Sequence, residues 1–233
     1  MTDYLVFTLT ANLASMGGLA GHERRGSLDW PGRSAIIGLL GAALGWRRDA
    51  DFSPLDGLQI AVAVFDAGTP LRDYHTVQTV PSAKVRRPQS RPEALRAARL
   101  GLNTIITLRD YRCTPLYGVA LCGVEESMLR DLRQALMRPV FTLYLGRKSC
   151  PLAAPLAPRI VAADDPGAAL AQVVLPPWRG RTVARRMLAD SGMVDAPAHR
   201  ERRNDVAVDR RRWHFTAREV AVERVHIQPE VAP

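Results

Sequence analysis

The sequence predicts an α+β fold with the element order βαββαβ, and three observations carry that expectation. Four segments are β-rich, by alternation or by β-branched content: Tyr4 to Leu9, Leu58 to Phe65, Leu116 to Cys122 and Val140 to Leu145. Two segments between them carry helical patterns, Ala35 to Leu44 and Glu125 to Arg138. A third stretch, Thr69 to Cys113, is basic in its middle and reads as an excursion out of the main sheet. With the excursion set aside, the order is the split βαβ plan of ferredoxin-like, RRM-type domains.

Each element follows from local chemistry. After the first strand, Thr10 to Gly21 is rich in small residues and reads as a loop, and His22 to Arg25 as a charged turn. Ser34 is placed to cap the first helix, and Gly45 to end it in a left-handed conformation. That helix is apolar on most sides, hence buried, and Gly38 and Gly41 would let a neighbouring backbone approach it. In the excursion, Arg72 to Val80 and Thr104 to Tyr111 read as extended. Between them lies a polar, proline-bearing loop, Pro81 to Arg91, with Lys84, Arg86 and Arg87. Ser90-Arg-Pro-Glu93 has the spacing of a capping box for a short helix, Glu93 to Leu100, stopped by Gly101. The second main helix sets Met128, Leu129, Leu132 and Leu136 on one face and ends at Pro139.

The C-terminal part is less patterned. Leu152 to Pro158 reads as an irregular crossing, and Ile160 to Ala163 and Ala171 to Leu175 as short strands. Pro176 to Asp209 reads as a long arginine-rich loop, and Trp213 to Phe215 and Val220 to Ile227 as strands. The expected organisation is a first domain at 1–152 and a small C-terminal β region at 153–233.

Composition bounds the function. The chain has 233 residues, 47% of them hydrophobic and 24% charged, enough for a packed core. A net charge of +9 favours a polyanionic partner. The only lysines are Lys84 and Lys148; a GC-rich codon bias accounts for that ratio, though not for the net charge. Three cysteines without CxxC spacing read as reduced, cytoplasmic thiols. No signal peptide or membrane-spanning segment is expected. The histidines lack metal-ligand spacing, so neither a metal nor a cofactor is expected.

Three motifs are candidates for phosphate chemistry, each beside an ordinary reading. Pro31-Gly-Arg-Ser34 opens the first helix, whose free N–H groups, with Arg33 and Ser34, suit an anion; an ordinary N-cap with a surface arginine outweighs this on that stretch alone. Leu71-Arg-Asp-Tyr-His-Thr76 places Arg72, Tyr74 and Thr76 on one face of a strand and Asp73, His75 and Val77 on the other. Nothing there supplies a second catalytic group. Tyr144-Leu-Gly-Arg-Lys-Ser149 follows an expected strand; Gly146 permits a tight approach, and Arg147, Lys148 and Ser149 can hold phosphates, evenly weighed against a plain turn. The arginines from Arg179 to Arg212, interspersed with acids, suit a nucleic-acid backbone and a salt-bridged surface equally.

Taken together these motifs resemble the CasD family. The resemblance rests on Pro31-Gly-Arg-Ser34 leading to Gly45, on Leu71 to Thr76, on Arg138 to Leu152, and on Arg203-Asn-Asp-Val through Phe215-Thr-Ala-Arg218. It implies an RRM-like domain with a thumb insertion at about 69–113. It also implies a non-catalytic subunit that grips the five-prime handle of crRNA in the type I-E Cascade complex. The implied partners are the backbone subunit, whose filament it caps, and the large PAM-reading subunit, with target DNA nearby. The residues expected at RNA are Arg33, Ser34, Arg72, Tyr74, His75, Lys84, Arg86, Arg87, Gly146, Arg147, Lys148 and Ser149. Two stretches depart from the family, Ala11 to Gly17 and Thr114 to Tyr117; the first lacks the family's aromatic stacking partner. Two rival readings stay open: a metal-independent pre-crRNA endonuclease using Tyr74, His75 and Lys148, as in a sister subtype, and a protein-only adaptor.

Overall fold

The computed structural model describes residues 1–21, 23–210, 212 and 214–229. His22 of the expected turn, Arg211 of the arginine-rich stretch and Trp213 of the expected strand lie outside them.

The chain opens with β1 (Thr2–Thr10), then β2 (Leu13–Ala14), β3 (Met16–Ala20) and β4 (Arg24–Leu28). It continues through α1 (Arg33–Ala43), β5 (Gln59–Asp66), β6 (Thr69–Thr79), α2 (Arg91–Ala98), β7 (Asn103–Cys113) and β8 (Leu116–Cys122). The remainder is α3 (Glu126–Met137), β9 (Arg159–Ala163), α4 (Pro166–Leu170), β10 (Ala184–Asp190), β11 (His199–Asp209) and β12 (His214–Ile227). No described helix is long and apolar enough to cross a membrane.

Two sheets organise these elements. The larger has seven strands in the order β11-β12-β10-β5-β8-β1-β9. All its pairings are antiparallel. On one face α1 and α3 bury Ile36, Ile37, Leu40, Leu129, Leu132 and Leu136 against Phe7, Leu9, Val62 and Val119. The 129, 132, 136 spacing makes α3 an amphipathic helix, and each leucine contributes about 1.5–3 kcal/mol by leaving water. The opposite face is also covered: Ala169, Leu170 and Val173 pack on Tyr4, Val6, Ala61, Phe65 and Leu116.

The smaller sheet has five strands and stands apart from the first. Its spine is β7, which pairs along its whole length with β6, from Thr69↔Cys113 to Thr79↔Asn103. The other edge of β7 takes β2 and, in parallel, β4, to which β3 is added. The sequence expects only loop and turn at Thr10 to Arg25. These strands are short and glycine-bearing, so β7 and not their own pattern defines them.

Three further expectations are corrected. Val140 to Leu145 is not the fourth strand; β9 takes the place beside β1. The segment instead donates its Val140 and Phe141 N–H groups to the Ala43 and Ala42 carbonyls (3.0 and 3.2 Å), satisfying the end of α1. Ala171 to Leu175, expected as a strand, follows the one-turn helix α4 without forming one. Pro176 to Asp209 is not one loop, because β10 and β11 both fall within it. Elsewhere the local signals hold. Gly45 ends α1 at φ +79°. Ser90 Oγ accepts from Glu93 N at 3.4 Å, while Glu93 Oε2 accepts from Gln89 N at 3.0 Å.

Candidate nucleic-acid interface

A groove runs along α1, and glycine makes it. Gly38 is exposed mid-helix, and a Cβ built there would meet nothing within 4 Å. Gly17 is equally open. On the far wall Gly146 has φ +85°, and a Cβ there would lie 1.7 Å from the Ser15 carbonyl oxygen, so only glycine fits. Together with Gly18, Ser34, Tyr144 and Asn204 these residues enclose about 350 Å³. Beyond Gly38, Ala42 and Tyr144 the groove opens into a second depression of about 640 Å³. Trp46, Phe52 and Phe141 line it, with the cations Arg47, Arg48 and Lys148 at its rim. Arg210 lies between the two, its guanidinium 4.0 Å from the Phe52 ring centre.

The structure brings Ser34, Gly146 and Lys148 to this groove but not Arg33. Ser34 lies inside the first turn of α1 and does not cap it. The Arg33 side chain is only 12% exposed. It donates to the Leu58 and Asp56 carbonyls at 2.6 and 2.9 Å and to Asp190 at 3.0 Å. The helix N-terminus already holds an anion, since the Arg33 N–H donates to Asp205 Oδ2 at 2.7 Å. A phosphate is thereby displaced from the position its dipole favours. Arg33 is a brace, its guanidinium held by partners within the chain and away from the groove.

The β6–β7 hairpin carries a second surface near its base. Arg72, Tyr74 and Thr76 are exposed, while Asp73, His75 and Val77 are half-buried, so Tyr74 and His75 point to opposite faces. Arg72 Nε donates to Asp110 Oδ1 at 2.7 Å, directly across the pair. Arg24 adds Nε and Nη2 donors to Asp110 Oδ2 at 3.1 and 2.9 Å. The side-chain hydrogen bond from Arg72, with the help of Arg24, holds the Asp110 carboxyl below the usual range. Two guanidinium groups share one carboxylate beside Tyr74, which is 62% exposed. Arg24 escapes sequence reading because its β4–β7 pairing is parallel and non-local.

A depressed carboxylate pKa stabilises the fold above the unfolded-state value near 3.8, and the contribution is lost as pH falls through the lower, folded value. Asp110→Asn is therefore expected to release both arginines at neutral pH. The exposed position of the pair keeps the cost to stability small. Arginine Nε resonances of Arg24 and Arg72 in a 15N spectrum should lose their dispersion; unchanged resonances would show that Asp110 does not hold them.

The 146–149 loop divides its labour. Lys148 and Ser149 are exposed. Arg147 instead stacks 4.6 Å from the Tyr111 ring centre, with Nη1 buried, and braces the loop against the hairpin base. Ser15 ties the same pieces: its N–H donates to the Leu145 carbonyl at 3.1 Å and its Oγ to the Asp110 carbonyl at 3.3 Å. Lys84, Arg86 and Arg87 belong to neither surface; they stand beyond the far end of the hairpin, where Thr79 pairs with Asn103. Among the C-terminal arginines, Arg179, Arg186, Arg200, Arg203 and Arg212 pair with acids of this chain. That favours the salt-bridged surface for these five. Burial pushes the Cys122 thiol up to about 11, which makes it a poor nucleophile at neutral pH.

The geometry can now be set beside known proteins. The family model described as CRISPR-associated protein (Cas_Cas5) matches residues 4–221. The CRISPR system Cascade subunit CasD of Escherichia coli (strain K12) is 35% identical over 187 residues, covering 73% of this chain and 76% of that one. A solved structure described as a CRISPR RNA-guided surveillance complex aligns with 99% of this chain and 93% of its own, at a TM-score of 0.70 and 23% identity. Another, described as the crystal structure of a Cas protein, aligns with 99% and 100%, at 0.66 and 25%.

Proposed function

This chain belongs to the Cas5 family of CRISPR-associated proteins, and we propose that it is the non-catalytic crRNA-binding subunit of a type I-E Cascade surveillance complex. In that role it grips the five-prime handle, caps the backbone-subunit filament and lies beside the large subunit. The observation that carries the proposal is the glycine-walled groove along α1. Open space above Gly17 and Gly38 lets a sugar–phosphate backbone lie against the protein backbone. Lys148, Arg47 and Arg48 supply charge at its rim, and Tyr144 and Phe141 supply surfaces for unstacked bases. On the hairpin, the Arg24–Asp110–Arg72 cluster offers a second phosphate-binding point beside Tyr74.

The β5-β8-β1-β9 portion of the larger sheet has the strand order of a split βαβ domain, which supports the RRM-like reading. RRM domains stack bases on the open sheet face. Here that face is packed under α4 and its neighbours, so the grip falls on the helix side.

Two experiments test the proposal. Assembly of the chain with its partner subunits should require crRNA that carries the handle; equal assembly on crRNA lacking it would sink the handle-binding role. Repeat RNA incubated with the chain alone in EDTA should remain intact. A discrete cut, lost in His75→Ala, would establish the endonuclease instead. The placement of His75 opposite Tyr74, with Lys148 in the groove, supports the non-catalytic reading.

A further inference from the structure

Several parts of the chain hold the Phe52 ring where the α1 groove opens into the aromatic depression. Gly41 makes room for it, since a Cβ built there would overlap the ring. Glycine inside a helix costs stability, and here that cost places an aromatic ring. Trp46 is tied to the end of α1, its N–H donating to the Gly41 carbonyl at 2.8 Å, and meets the ring edge-on with 5.3 Å between centres. Asp51 fixes the turn, accepting from the Ser53 N–H and Oγ at 2.9 and 2.8 Å. Arg210 then lies over the face of the ring, 4.0 Å from its centre. Phe52 is thereby buried, although it lines an open depression.

The ring is built in firmly and its cover is not. Arg210 is half-buried. Among the described residues no carboxylate pairs with it, whereas Arg33, Arg179, Arg186 and Arg218 each hold one. Burial pulls its pKa below the usual arginine value, and Asp56 opposes this only in part. Arg210 directly follows β11, the edge strand of the larger sheet, so it can move without disturbing the core. A ring face offsets only part of the cost of taking a guanidinium out of water, whereas a phosphate answers it with opposite charge and paired hydrogen bonds. An uncovered ring is what an extruded base stacks on, and Arg47, Arg48 and Lys148 at the rim suit the phosphates on either side of it. We propose that Arg210 is a displaceable plug: in the free chain it covers the Phe52 ring, and when RNA enters, one extruded base takes the ring while Arg210 moves to an adjoining phosphate. The plug rests on the α1 groove being the RNA path. Because every base has a flat face, the seat detects a base without reading which one it is.

The test follows the Arg210 side chain by NMR in the full chain labelled with 15N. Its Hε resonance, assigned by its absence in Arg210→Lys, should be shifted upfield by the ring in the free chain and should leave that position when handle RNA binds. A set of handle RNAs, each with one abasic nucleotide, then locates the seat. One of them should leave Arg210 over the ring and bind at least about fivefold more weakly than the intact handle, the value of one stacked base. Another base at the same position should change affinity by no more than about twofold. In Phe52→Leu, which keeps an apolar side chain in the core, the abasic penalty should shrink to about twofold or less. In Arg210→Ala, which leaves the core untouched, the penalty should persist because the ring remains. The plug is overturned if Arg210 stays over the ring with intact handle RNA bound, if no abasic position carries a penalty, or if Phe52→Leu keeps the parent's penalty; the groove then still stands as the RNA path. A parent that binds no handle RNA overturns the groove reading, and the plug with it.

Discussion

Arg218→Ala is expected to lower the stability of the chain by about 3–5 kcal/mol, the cost of stranding a buried charge. The Arg218 side chain is 14% exposed and serves two carboxylates. It donates to Asp205 through Nε and Nη2 at 2.7 and 3.1 Å, and to Asp190 through Nη1. Asp190 also accepts from Arg33 and from the Ile60 N–H at 3.0 Å each, and Asp205 accepts from the first N–H of α1. One alternating network, Arg33–Asp190–Arg218–Asp205, thus ties α1 to β5, β10, β11 and β12. Removing Arg218 leaves two carboxylates, Asp205 buried and Asp190 half-buried, with Arg33 alone to balance them. At roughly 2–4 °C per kcal/mol for a chain of this size, the melting midpoint should drop by about 10 °C. Arg200→Ala is the control: that pair is 3.7 Å apart and exposed, so the shift should stay below about 2 °C. Equal shifts in the two variants would mean that the network is no more than surface charge.

This network explains why part of the fold was legible in the sequence and part was not. β1, β5 and β8 announce themselves as nearly continuous apolar runs because both faces of the sheet are covered, and α3 because it buries one face at a helical period. β10 and β11 do not. β11 lies at the sheet edge, and most of its residues are exposed or half-buried. What fixes it is Asp205 and the pairing to β12, both distant in sequence from the core strands. Val140 to Leu145 fails the other way. Its alternation is real over 142–145, since Leu143 and Leu145 are buried while Thr142 is exposed and Tyr144 half-buried, yet its backbone is spent on the end of α1. Alternation reports which side chains are buried, not which backbone partner they find.

The candidate site divides along the same line. The positions of Gly146 and Lys148 at the groove were legible because a left-handed glycine beside a cation is a local pattern. The bracing of Arg33 was not, because its partners, Asp190 and Asp205, come from strands the sequence reads as loop. Arg24 was missed because only the parallel pairing of β4 with β7 brings it to Asp110. The groove itself needs Gly17, Gly38 and Gly146 from three separate elements, and no single motif contains it.

Gly38→Leu separates function from stability and is the sharper test of the groove. Gly38 is an exposed helix-interior glycine with nothing near its missing Cβ. Leucine there should favour α1 by roughly 0.5–1 kcal/mol, through helix propensity alone. The same side chain projects into the groove of about 350 Å³ through which the proposed RNA path runs. Overfilling a packed interface costs about 1–3 kcal/mol, which is roughly 5- to 150-fold in affinity. The expected result is a variant that melts at or above the parent temperature and binds handle RNA at least about fivefold more weakly. Gly146→Ala cannot serve in its place. Its Cβ would strike the Ser15 carbonyl, so any loss of binding would be confounded with a broken loop. A Gly38→Leu variant that holds handle RNA as tightly as the parent would move the RNA out of this groove, leaving the hairpin face with Arg24, Arg72 and Tyr74 to carry the grip alone.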